Sequence, residues 1–76
     1  MSQLQHLDGI AREAWEGKFD RTGGLSKGEV LYVALASGRM RELAPDDSIA
    51  YAVNRVGPEW MTHMLEVFGN DKQPQA

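Results

Sequence analysis

The chain has 76 residues, no cysteine and a formal net charge of −3 spread along its length. That size suits one domain with a thin stability margin, since such a fold hides only about 60 to 65% of its unfolded surface. The missing cysteines exclude a disulfide framework or a thiolate metal site. The acidity argues against affinity built on neutralising phosphates.

No apolar run approaches the ~20 residues of a membrane span. Residues 1–7 carry neither a basic segment nor an apolar core, so no signal peptide is expected and the expected location is the cytoplasm. A hydrophobic share of 42%, including two Trp, two Tyr, two Phe and four Met, is enough for a packed core and against disorder.

Start and stop signals divide the chain into a compact all-α bundle of four short helices. The first is expected over about residues 3–18. Ser2 and Gln5 form a capping-box pattern, Leu4, Leu7, Ala11 and Ala14 make a stripe, and Ile10 and Trp15 widen it. Asp8 and Arg12 are spaced as an i, i+4 pair on the helix surface. The helix should end near Gly17 or Phe19, and residues 20–24 (DRTGG) form a glycine-rich connector.

The second helix is expected over 27–43, broken or weakened at Gly38. Ser26 and Glu29 read as S-x-x-E, and Leu25 can staple onto Val30. Residues 30–36 (VLYVALA) are apolar at every azimuth, so this helix must be covered on several sides. Tyr32 and Val33 mark where a side left open would meet a second copy of the chain. Met40 and Leu43 should point inward beyond the break.

Pro45 interrupts the chain, and Asp46, Asp47 and Ser48 supply caps and negative charge for a third helix over 47–56. Its apolar set is Ile49, Ala50, Ala52, Val53 and Val56, opposite Asn54 and Arg55. Gly57 and Pro58 make a tight joint to a fourth helix over 58–68. There Met61, Met64, Leu65 and Phe68 share a face, with Trp60 and Val67 beside them. Residues 70–76 (NDKQPQA) have no apolar anchor and are expected to be a flexible tail.

Residues 19–30 (FDRTGGLSKGEV) resemble an EF-hand loop in outline, but not in register. Calcium needs a twelve-residue loop with oxygens at positions one, three, five and twelve. Asp20 and Glu29 are the ends of only ten residues, and Thr22 and Gly24 stand where acids or amides belong. The segment is therefore read as an interhelical loop ending in a cap. Gly23, Gly24 and Lys27 likewise miss the spacing of a phosphate-binding loop. His63 lies between Glu59 and Glu66 on one helix and reads as part of a solvated face. No cofactor, metal or catalytic set is expected.

Two functional classes remain. The first is a small non-enzymatic accessory protein acting through protein–protein contact, including self-association. Its candidate surface is Trp15, Tyr32, Val33, Arg39, Arg41, Arg55 and Trp60. The second is a DNA-binding regulator with a divergent helix-turn-helix, suggested by the A-x-x-x-G of residues 34–38. Residues 39–45 separate that turn from the next helix, which opens on Asp46 and Asp47 and would face phosphate, so nucleic acid is the weaker partner. The ten-residue spacing generates one prediction: millimolar calcium leaves the melting temperature unchanged, whereas a rise would show that the loop binds the ion.

Overall fold

The computed structural model describes residues 3–69, and among them the fold is all-helical. Five helices follow in order: α1 (Gln3–Trp15), α2 (Lys27–Ser37), α3 (Met40–Leu43), α4 (Ile49–Val56) and α5 (Pro58–Phe68). The expected tail, residues 70–76, and the expected cap at Ser2 lie outside the described residues.

Helix α2 starts where its sequence says it should. The Ser26 hydroxyl accepts from the Glu29 backbone N–H, and the Glu29 carboxylate accepts from the Ser26 N–H at 2.8 Å. The break at Gly38 is real and turns the second helix into two segments. Gly38 takes φ of 70°, in the left-handed region that a side chain disfavours. The N–H groups of Gly38 and Arg39 return to the carbonyls of Leu35 and Ala34, closing the helix with the paired bonds of a Schellman turn. Helix α1 ends the same way at Gly17, two residues past Trp15 and earlier than residue 18, with Gly17 and Lys18 bonding back to Ala14 and Glu13.

Helix α2 is the hub. Leu31, Tyr32, Val33 and Ala34 are all wholly buried. On one side Tyr32, Val33 and Ala36 join Leu7, Ile10, Ala11 and Ala14 of α1 and Met64 and Phe68 of α5 in the main core. On the other, Leu31 meets Ala44 and Ala52 in a smaller cluster, with Leu35, Met40 and Val56 against it. Tyr32 and Val33, expected as the open side of this helix, are instead its best-covered residues. The reason is that α1, α3, α4 and α5 all pack on α2, one neighbour more than the bundle of four provides.

Two apolar faces are placed differently from their sequence periodicity. In α4 only Ala52 is fully buried and Val56 half-buried, while Ile49 is 64% exposed and Val53 38%. In α5 Met64 and Phe68 are buried, but Leu65 stays 63% exposed. Helix α4 rests on α2 through Ala52 and Val56, so a narrow contact line seats it and Ile49, Tyr51 and Val53 stay exposed.

Gly38→Ala should lower unfolding free energy by roughly 1 to 2 kcal/mol through the left-handed backbone. Gly24→Ala, where an added Cβ meets nothing within 4 Å, should be neutral or slightly stabilising. Urea denaturation of both variants checks this, and equal losses would contradict the assignment of the break to Gly38.

Candidate interaction surface and the buried polar cluster

The polar residues that fold together inside the protein are not those that stand out in the sequence. Asp8 is 8% exposed although it sits on a surface-active helix. The Tyr32 hydroxyl donates to its Oδ1 at 2.6 Å, and His63 Nε2 lies 2.8 Å from its Oδ2. An ionised carboxylate only accepts, so Nε2 is assigned as the protonated nitrogen of His63. The Trp60 ring then stands edge-on to Tyr32, with centroids 5.7 Å apart at 82°. A pair of this geometry is worth about 0.5 to 1.5 kcal/mol beyond the area it buries.

The expected Asp8–Arg12 pair is not made. Asp8 turns inward, and Arg12 instead lies over the Phe68 ring, 5.0 Å from its centroid. His63 likewise leaves the solvated face expected of it and becomes part of the seam between α5 and α1. A wheel of α1 contains the missed signal. Leu4, Asp8, Ala11 and Trp15 follow i, i+4, i+7, i+11, so Asp8 falls inside the apolar arc. On α5, His63 is three residues after Trp60 and four before Val67, both packed on the main core.

The cluster pairs a carboxylate with an imidazole, and each Asp8 oxygen has a partner. No nucleophilic side chain completes the set. Among the described residues, no group of three or more His, Asp or Glu could hold a metal ion, and no helix is long and apolar enough to cross a membrane.

The seven candidate surface residues are scattered by the fold. Tyr32 and Val33 are in the core. Trp15 is half-buried against Phe68, with ring centroids 6.5 Å apart, and Trp60 is half-buried against Tyr32. The Arg39 guanidinium is directed inward, donating to the carbonyls of Ala14 at 2.9 Å and Trp15 at 2.8 Å. It thereby caps the Trp15 carbonyl and adds a second bond to that of Ala14, which already accepts from Gly17, at the C-terminus of α1, where a cation is also favoured by the helix dipole. Arg41 is exposed beside it in a depression formed by residues 38–42. Arg55 is elsewhere, lining a cleft of about 230 Å³ with Trp60, Glu29 and Gln3. The three arginines therefore divide between two places and make no single basic patch.

That cleft is closed on one side by a polar contact. Glu29 accepts from the Ser26 backbone and from the Gln3 amide at 2.6 Å. The Ser26 N–H first and the Gln3 amide second hold the Glu29 carboxyl below its usual range.

What the sequence did not mark as a surface is the outer side of α4. At about 100° per residue, Ala52 and Val56 point in, Ala50 and Asn54 point out, Ile49 and Val53 form one flank and Tyr51 the other. Ile49, Tyr51 and Val53 are 64%, 44% and 38% exposed, and Ala50 is exposed between them. Beyond the two ends of this face lie Asp47, ion-paired with Lys27, and Asp46 on one side, and Arg55 on the other. The chain matches no family model, no curated protein and no solved structure.

Burial, followed by the hydrogen bond to Asp8 and then that carboxylate's charge, pushes the Tyr32 hydroxyl above its ordinary value. The folded protein thus holds this proton more tightly than the unfolded chain, where tyrosine titrates near 10. The associated stability is whole below about pH 10 and is lost as pH rises beyond it. Urea midpoints taken from about pH 9 to pH 12 should therefore fall more steeply in the wild type than in Tyr32→Phe. Parallel curves would contradict it.

Proposed function

We propose that this chain is a small non-catalytic accessory module of the cytoplasm that acts by docking a protein on the outward face of α4. The observation that carries the reading is the exposure of Ile49, Tyr51 and Val53, three large apolar side chains on one eight-residue helix. Isolated apolar side chains on a surface need no explanation, but three large ones exposed on a single short helix do. Both α2 and α5 pack on α4 and still leave these side chains outside.

The polar chemistry supports the same reading. An enzyme of this size would gather polar groups in a cleft, whereas Asp8, Tyr32 and His63 are hydrogen-bonded to one another where α1, α2 and α5 meet. The DNA-binding alternative gains nothing from the fold, since Arg39 spends its guanidinium on α1.

Photo-crosslinking in the native host tests this. A benzophenone side chain at position 51 should give a discrete protein adduct that Val53→Asp abolishes, with none from the same group at Thr62, also exposed but on α5. Equal labelling from both positions, or adducts that survive Val53→Asp, would contradict the assignment of the docking surface to α4.

A further inference from the structure

We propose that the cleft between the first turn of α2 and the joint of α4 with α5 is a binding site for a single carboxylate carried on a compact apolar group. The proposal goes beyond the docking face of α4 and does not depend on it. Val53 and Arg55 are two residues apart on α4, so their side chains leave the helix about 160° apart. Arg55 belongs to the cleft and not to the outward face.

The cation in this cleft is free to take a ligand. Lys18 and Arg21 pair with glutamates, Lys27 with Asp47, Arg39 with the end of α1, and Arg12 with the Phe68 ring. Arg55 makes no hydrogen bond or ion pair among the described residues. Arg41 shares that state, but its depression is formed by residues 38–42 and has no aromatic wall. Arg55 is nonetheless held in place. Its Nη1 lies 3.5 Å from where a Cβ on Gly28 would stand, so the guanidinium rests on α2 at a residue with no side chain.

Part of the lining is apolar and already ordered. Trp60 and Val56 line the cleft, and the Trp60 indole is set edge-on against the buried Tyr32 ring. An apolar group placed there gains contact without having to immobilise the wall.

Charge decides which anion fits. Glu29 lines the same cleft, and its two oxygens accept from the Ser26 N–H and the Gln3 amide. One unpaired cation beside one carboxylate suits a ligand with a single negative charge, whereas inorganic phosphate would bring a second charge that nothing in the lining neutralises. The paired N–H groups of a guanidinium also match the two oxygens of a carboxylate. Size sets the rest. A cleft of about 230 Å³ is below the ~300 to 1,000 Å³ of pockets for drug-sized ligands. It takes one ring or a short branched chain with its acid, either a free small acid or the C-terminal residue of a peptide. Because Arg55 is exposed, the dissociation constant is expected on the order of 1 mM.

Proton–nitrogen correlation NMR of the full chain reads this, with the Trp60 indole N–H as reporter. Phenylacetate should shift that signal to saturation, while neutral phenylacetamide and inorganic phosphate at the same concentrations should not. Arg55→Gln should weaken phenylacetate binding about five-fold or more. Gly28→Leu, which keeps the arginine and grows a side chain into the cleft, should weaken it as much. Val53→Asp should leave it within about two-fold of the wild type. Circular dichroism melts verify that the three variants are folded.

The peptide N-acetyl-Gly-Gly-Phe with a free carboxylate separates the two sources. Binding as tight as that of phenylacetate assigns the site to a chain end, and phenylacetate binding alone assigns it to a free small acid. No saturable shift with either acid overturns the proposal. So does phenylacetamide binding as tightly as phenylacetate, or an Arg55→Gln variant that binds like the wild type. The docking face of α4 is judged separately, by the crosslink from position 51 and its loss in Val53→Asp.

Discussion

One carboxylate ties three helices together. Asp8 on α1 accepts from Tyr32 on α2 and pairs with His63 on α5, and it does so among residues that are otherwise apolar. A buried charge is costly unless its hydrogen-bonding capacity is filled, so the relative placement of α1, α2 and α5 is constrained more tightly than hydrophobic contact alone would require. A domain of this length has roughly 4 to 11 kcal/mol of stability in all. Leaving one such group unsatisfied costs about 1 to 3 kcal/mol, a large fraction of that.

The position of α4 follows from this arrangement. With α5 held to α1 by His63 and to α2 by Tyr32 and Trp60, the main core needs only Val56 from α4. That helix is left to cover the remaining side of α2, where Leu31, Ala44 and Ala52 form the second cluster. Ala52 and Val56 seat it, and Ile49, Tyr51 and Val53 are left exposed. The exposed face is thus a consequence of how the core is completed. The exposed apolar side chains of α4 sit on a helix that takes no part in the hydrogen bonds of Asp8.

Local signals were the legible ones. The box formed by Ser26 and Glu29, the stop at Gly38 and the joint of Gly57 with Pro58 involve residues within a turn of one another, and each is found where its spacing places it. Interactions between distant parts of the chain were not legible. Asp8 and His63 are 55 residues apart, and an i, i+4 reading offered Asp8 a nearer partner in Arg12. Arg39 reaches back 24 and 25 residues to cap α1, which no local pattern encodes. The periodicity of α4 named a helix with Ala52 and Val56 inward and Asn54 outward, but not that Ile49 and Val53 on its flank stay exposed. Tyr32 carried a partial signal: a phenol in a helix apolar all round needs a buried acceptor, and Asp8, lying in an apolar arc, was the residue able to supply it.

The account depends most on Asp8 and Tyr32 acting as a unit. A double-mutant cycle of Asp8→Leu and Tyr32→Phe, followed by urea denaturation, measures that dependence. If each residue is in place to satisfy the other, the cost of Tyr32→Phe should largely vanish once Asp8 is leucine, giving a coupling of about 1 to 3 kcal/mol. Costs that add to within about 0.5 kcal/mol would mean that the two side chains act independently, and the carboxylate would not be what holds the three helices together.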